Sequence, residues 1–512
     1  MESVSQFVAA VDVGTTKIVT LLGKRSENNK LEIVGFSRSD SKGIRRGEVL
    51  NPEEASKVVR QTVDILQKRT GIPISEVFVG IAGQHIRMLK SRNYINRHSS
   101  DKSISNEDVD QLICDATNSP LNEGEIIIDI LPQSYIVDNE TDIFNPIGML
   151  GKRLEGNFNI VVGNLESVKR IKKCISQAGL VYKEVFLEPL ASSDAVLYDD
   201  EREAGVALVD IGGGTTDVAV FYDKMLRHSA VIPFGGFVVT KDIKNACVLS
   251  EKVAEELKIQ FGMALSNVAE DNKVIVIPAK IPGHEPKEIS MRNLASIIQA
   301  RMEEIIDGIM FQIENSGYAD KLGYGIVITG GGAMLRHLKE LFRFRTGMNV
   351  RIGYPGQHLI GDSADVNETC YATGVGLLMK GFEYLDEYET IKEKPVTVDD
   401  HSEPNPEQPV ESVLQPQPDT EPQPVKLPEP VLVPIGSDLH GVSANKEDVK
   451  KHFLSTVMYF TNLQKRIMKA KEKVRSVGSE ITNIVVEHFD EGKKSSVSMP
   501  GKQEMEEESV MV

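Results

Sequence analysis

Residues Val206–Phe221 read VALVDIGGGTTDVAVF: an apolar run, an aspartate, a turn of glycines and threonines, and a second apolar run. Short apolar runs bounded by glycine predict strands, with a tight turn between them. Residues Ala9–Leu22, AAVDVGTTKIVTLL, repeat the same order. Asp12 and Asp210 fall at the same place in the two copies, each just before its turn. Repeats this far apart do not build a solenoid, whose period is about 20–50 residues. They predict two halves of like fold facing each other.

The turns carry the chemistry. In the first, Gly14 supplies a tight bend, and the backbone N–H groups with the Thr15 and Thr16 hydroxyls form a concavity suited to phosphate oxygens. Lys17 follows, and Asp12 is placed to hold Mg²⁺ through water, since that ion keeps several waters. In the second, Gly212, Gly213 and Gly214 permit close backbone approach to a phosphate, followed by Thr215, Thr216 and Asp217. The strand residues Val218–Val220 come next, which argues against a P-loop or a dinucleotide-binding turn, because both lead into a helix. A third loop, Gly330, Gly331 and Gly332, follows the strand Gly325–Thr329 and precedes a helical stretch from about Met334. There the glycines are expected to open a helix N-terminus, which favours anions. One glycine turn alone is more often a plain hairpin. Two Asp-x-Gly-x-Thr turns in repeat, with the third loop after them, make a phosphate site the stronger reading.

Composition narrows the class. The chain has 512 residues, 40% hydrophobic and 26% charged, the balance of a globular protein. A net charge of −17 argues against nucleic-acid binding. Cys114, Cys174, Cys247 and Cys370 are too scattered for a zinc site or a disulfide framework, and read as reduced thiols. No apolar run is long enough to span a membrane, and the N-terminus enters the strand Phe7–Val13 without a leader pattern.

Residues 7–385 alternate strand-like and helical patterns, which predicts α/β architecture. From about Thr390 to Asn445 the character changes: eleven of the 23 prolines fall between Pro395 and Pro434, among Glu, Gln and Asp. This stretch reads as an extended linker. Helical periodicity returns over 448–475, where Phe453, Val457, Phe460, Leu463, Ile467, Ala470 and Val474 form one stripe beside eight basic residues. A basic amphipathic helix reads as a membrane-surface element, the alternative being a helix docked on protein.

These motifs resemble the actin-like ATPase superfamily. The resemblance implies ATP and Mg²⁺ in a cleft between two related domains, phosphates held by residues 14–17 and 212–216, and metal organised by Asp12 and Asp210. It makes Phe186–Ser192 and Tyr371–Leu377 the two connecting segments. By likeness to the chaperones, Glu188 orients an attacking water, with Asp210 beside it. Glu255 and Lys258 are similar to the family's adenosine-contacting pair. Taken alone, their i, i+3 spacing reads as a solvated surface pair.

Within the superfamily the phrases AVDVGTTKI, GLVYKEVFLEPLASS, AEELKIQFG, VITGGGAML and YATGVGLL look most like FtsA. That implies an actin-like domain 1 over 1–83 and 164–205, with the FtsA-type subdomain 1C inserted at 84–163. Domain 2 would cover 206–387, with subdomain 2B at about 225–320. A linker (388–447), a membrane-targeting helix (448–475) and a tail (476–512) would follow. It further implies filaments of the chain itself, binding of FtsZ through 2B with Arg301 as a candidate contact, and a place on the cytoplasmic face of the membrane at the division site. Turnover of ATP would be slow at most. A PilM-like pilus assembly protein and a metabolic kinase of the same superfamily are the alternatives; no substrate base for a kinase can be pointed to.

Overall fold

Each Asp-Gly turn closes an antiparallel hairpin, and each hairpin lies at the centre of its own sheet. The computed structural model describes residues 6–26, 30–98, 101–270, 272–279, 285–360 and 364–393. In the first half, Phe7–Val13 and Lys17–Arg25 pair with Val13 opposite Ile18, and Leu31–Asp40 continues the meander. On the other side Glu76–Ile81 and then Val181–Leu187 add in parallel. The second half repeats this: Val206–Ile211, Thr216–Tyr222 and Met225–Ile232 form the meander, and Ile326–Thr329 and Val350–Ile352 add in parallel. Every residue of Val206–Ile211 is buried, which is why this central strand is apolar at consecutive positions apart from its one aspartate.

The helix Pro52–Thr70 covers the first sheet with Val59, Val63 and Leu66. Asn51 caps its N-terminus by accepting from the Glu53 and Glu54 amides, proline occupies the first turn, and Gly71 ends it in the left-handed region. Between the strands Glu76–Ile81 and Val181–Leu187 stands a separate unit. Its antiparallel strands run Arg87–Asn96, Arg153–Asn164, Glu125–Val137, Glu140–Ile143 across the sheet. The helix Asn106–Ala116 lies against it, begun by a Ser105–Asp108 capping box. Leu112, Tyr135, Leu154 and Phe158 give this unit a core of its own.

Two boundaries differ from the sequence reading. Met225–Ile232 belongs to the main sheet of the second half, so the smaller subdomain begins after it and not at 225. The chain also returns to the first half well before 387: Leu359–Ile360 pairs with Leu31–Glu32, and Val375, Leu378 and Phe382 of the helix Ala372–Glu393 pack with Val8, Leu21 and Phe78. That helix runs past 388, into the stretch read as linker. The remainder of the linker, the helix at 448–475 and the tail at 476–512 lie outside the described residues. Among the described residues, no helix is long and apolar enough to cross a membrane.

The helices Glu188–Val196 and Ala372–Glu393 are the two connecting segments, and they cross at Gly376. A Cβ at Gly376 would lie 1.8 Å from the Ala191 carbonyl oxygen, so only glycine permits this approach. The crossing brings the start of both helices to the floor of the cleft between the halves.

Candidate active site

The two turns meet face to face. A Cβ on Gly213 would lie 2.3 Å from Thr16 Cγ2, and one on Gly214 would lie 2.4 Å from Thr15 Oγ1. The glycines of the second turn therefore serve its contact with the first turn. Around them lie Asp12, Lys17, Gly47, Glu188, Asp210, Asp217, Gly330, Gly331, Thr369, Cys370 and Thr373. The cavity they enclose is about 90 Å³. Small-molecule sites are usually above about 300 Å³, so a larger ligand must part the turns to enter.

Four carboxylates converge here, and each is pushed up. Burial raises Asp12 to about 6, with Asp210 adding to the rise and Lys17 opposing it. Burial also raises Glu188, and the charges of Asp12, Asp217 and Asp210 push it further. Asp210 rises through burial although Ser192 and Thr373 both donate to its Oδ2, at 2.7 and 3.3 Å. Asp217 rises through burial and then through Asp210, which stands directly opposite it in the hairpin. Like charges in such a cross-strand pair are destabilising. Asp217 Oδ1 is buried and finds no hydrogen-bond partner among the described residues.

This surplus of negative charge suits a divalent cation. Among the described residues, no three metal-ligating side chains converge closely enough to hold an ion by themselves. Magnesium is ordinarily held by one or two carboxylates, waters and ligand phosphates, so the donor set fits that ion.

The burial of Asp12 has a measurable consequence. A shift of about two units costs on the order of 3 kcal/mol when the group is ionised. Its proton binds more tightly in the folded state, so the stability it lends is fully present only below the ordinary value of 3.8 and is lost as pH rises through about 6. The unliganded protein should therefore melt higher at pH 5.5 than at 7.5. Asp12→Asn should raise the melting temperature at pH 7.5 and flatten that dependence in scanning calorimetry. A variant less stable than the parent at pH 7.5 would sink this account.

Not every residue picked from the sequence lines the cleft. The Thr216 hydroxyl is donated to the Phe234 carbonyl at 2.8 Å and serves the sheet. Gly330 and Gly331 do line it, whereas Gly332 packs on Ile211. Gly330 has φ 82°, and a Cβ there would lie 2.2 Å from Asp210 Oδ1. These glycines do not open an α-helix as expected: a single 3₁₀ turn, Gly331–Met334, intervenes, and the helix starts at Leu338. Glu255 and Lys258 stand outside the cleft lining, as a half-buried network and not a solvated pair. Lys258 Nζ donates to the Gly236 carbonyl at 2.9 Å and to Thr240 Oγ1 at 2.9 Å, and Thr240 also donates to Glu255. Gly236 N–H in turn donates to the Gly212 carbonyl at 2.9 Å, which ties this network to the second turn. Lys17 Nζ donates to the Cys370 carbonyl at 2.8 Å, across to the chain that leads into the second connecting helix.

Residues 207–376 match the family model described as cell division protein FtsA, and residues 83–162 match the SHS2 domain inserted in FtsA. The chain is 35% identical to the cell division protein FtsA of Pseudomonas aeruginosa over 378 residues, 74% of this chain and 90% of that one. It is 31% identical to that of Escherichia coli K12 over 399 residues, 77% of this chain and 94% of the relative. The chain belongs to the FtsA family. The four-stranded unit is thus the FtsA-type insertion expected at 84–163. A solved PilM–PilN type IV pilus biogenesis complex shares the fold, with a TM-score of 0.53 at 14% identity over 73% of this chain and 98% of that one. The duplicated sheets are those of an actin-like FtsA core.

Sequence reasoning assigned no role to Asp217, Ser192, Thr373 or Gly47. Asp217 had a signal, since it lies on the strand leaving the second turn and pairs back onto Asp210. Ser192 and Thr373 sat inside the recognised connecting segments, but which of their residues reach Asp210 depends on how the two helices cross.

Proposed function

We propose that the cleft binds ATP with Mg²⁺, and that this FtsA-family chain assembles on itself and tethers FtsZ to the cytoplasmic face of the membrane at the division site. The observation that carries the nucleotide reading is the pair of apposed turns with four buried carboxylates behind them. The amides and hydroxyls of residues 14–16 and 212–215 take the phosphates, and Lys17 exchanges the Cys370 carbonyl for a phosphate oxygen. Asp12 and Asp210 hold the hydrated ion, with Asp217 available through a water. Bound Mg²⁺ supplies charge neutralisation between phosphates and carboxylates. Glu188, in the first turn of its helix and lodged against Gly80, orients a water for at most slow hydrolysis. Glu255 and Lys258 would take the adenosine side by family likeness, and through Gly236 their network also braces the second phosphate turn.

On this reading FtsZ would bind the smaller subdomain of the second half. Arg301 is a poor anchor for it: its guanidinium is already held by both Asp242 oxygens and by Glu304. Full-length protein mixed with FtsZ and anionic liposomes should carry FtsZ into the membrane pellet, more so with MgATP than without. FtsZ remaining in the supernatant under all conditions would refute the tether.

A further inference from the structure

We infer that Glu48 is a latch that couples occupancy of the cleft to the orientation of the inserted domain; this rests on reading the cleft as the ATP site. The loop carrying it is a miniature hairpin. Ile44–Arg45 pairs with Glu48–Val49, and Arg46 and Gly47 between them have φ 51° and 76°. Two positive φ values mark the tight hairpin turn that matches strand twist. Arginine is a costly residue at such a position, by roughly 1–2 kcal/mol, so the conformation is imposed by what the loop is fastened to.

The loop is fastened to the first phosphate turn at its approach and at its tip. Ser41 N–H donates to the Thr16 carbonyl at 3.0 Å, and Gly47 N–H donates to Thr15 Oγ1 at 2.9 Å. Gly47 also faces the second turn: a Cβ there would be 3.6 Å from Thr215 Cγ2 and 3.6 Å from Gly83 Cα. Both turns and the entry to the insertion thus meet at one glycine.

The next residue holds both crossings into the insertion. Glu48 Oε1 lies 3.1 Å from His85 Nδ1, just where the chain enters the inserted domain. Glu48 Oε2 accepts from Ser167 Oγ at 3.4 Å, in the first turn of the helix Leu165–Gln177 where the chain leaves it. The Glu48 and His85 side chains are 25% and 12% exposed, so water competes little for this contact. Gly83, at φ 133°, leaves room for the imidazole, since a Cβ would sit 2.9 Å from its ring. His85 Nε2 is buried without a hydrogen-bond partner among the described residues, and the ring makes its polar contact with Glu48 through Nδ1.

The coupling follows from these contacts. A ligand that parts the turns displaces Thr15; Gly47 moves with its hydroxyl; Glu48 then pulls on entry and exit together. Coupling between distant sites needs an element whose arrangement both sites bias, and this hairpin touches both. Glu48 does not line the cleft, so it acts as a positioning residue.

The test uses the full chain with fluorophores on exposed Cys114, in the inserted domain, and on Glu340→Cys, in the second half; Cys247 and the cleft-lining Cys370 are replaced by serine, and MgATP binding itself is measured on the native sequence as well. In the parent, MgATP should change the energy transfer between them. Glu48→Ala should bind MgATP with an affinity close to the parent's yet lose most of that change. Glu48→Gln, which keeps an acceptor for Ser167, should retain more of it. A Glu48→Ala protein with the full change overturns the latch. So does a parent that binds MgATP without any change. A parent that binds no ATP overturns the cleft reading and the latch with it.

Discussion

Gly213→Val is expected to lower MgATP affinity by roughly ten- to a hundredfold, within the about 1–3 kcal/mol that overpacking usually costs. The reasoning starts from the backbone. The two phosphate turns touch through the empty side of Gly213, where a Cβ would already be 2.3 Å from Thr16 Cγ2. Valine adds two further methyl groups at that point. They wedge into the space a phosphate oxygen would take once the turns part. Relief by backbone movement is restricted, because Phe237 N–H donates to the Gly213 carbonyl at 2.8 Å and Gly236 N–H holds Gly212. Titration calorimetry in the presence of Mg²⁺ gives the affinity, and a melting curve controls for loss of fold. Parental affinity in the valine variant would place the nucleotide elsewhere.

The duplicated core was legible because its signal is local. An aspartate and a glycine turn between two apolar runs specify a hairpin whatever else surrounds it, and the copies at Asp12 and Asp210 are close in wording. The third loop was legible in place but not in shape. Gly330 and Gly332 are demanded by the approach to Asp210 and Ile211, and the helix behind them waits until Leu338. The return of the chain to the first half was not legible. Leu359–Ile360 is too short to show a period, and the helix Ala372–Glu393 packs so deeply that its apolar residues form no single stripe.

The same distinction divides the site residues. Asp12, Lys17 and Asp210 lie in or beside turns that the sequence marks directly, whereas Glu188 was reached only through the family resemblance. The importance of Asp217 is a matter of strand register. That of Ser192 and Thr373 depends on the helix crossing at Gly376. Glu255 and Lys258 were legible as a pair, but their burial is decided by Thr240 and Gly236 on a neighbouring helix. Glu48 carries no sequence signal at all. Its role is visible only because His85 and Ser167, far apart in sequence, close on the same carboxylate.

Truncation after Asn445 is expected to abolish liposome binding while leaving ATP binding intact. The whole chain carries a formal charge of −17, so its bulk is repelled by an anionic leaflet. Residues 448–475 reverse that sign locally, with Lys450, Lys451, Lys465, Arg466, Lys469, Lys471, Lys473 and Arg475. Each basic residue near an anionic surface contributes about 1 kcal/mol, and the Phe453–Val474 stripe adds apolar burial at the headgroup boundary. Phe460→Glu removes an aromatic anchor and puts a charge in its place. At about 2 kcal/mol or more for the lost burial, membrane affinity should fall at least roughly thirtyfold. Raised salt should weaken the parent as well, because screening shortens the reach of the lysines. Flotation with vesicles rich in anionic lipid measures all three. A truncated protein that still floats would put the tether elsewhere. A full-length protein that never floats would make 448–475 a helix that docks on protein, as its stripe also permits.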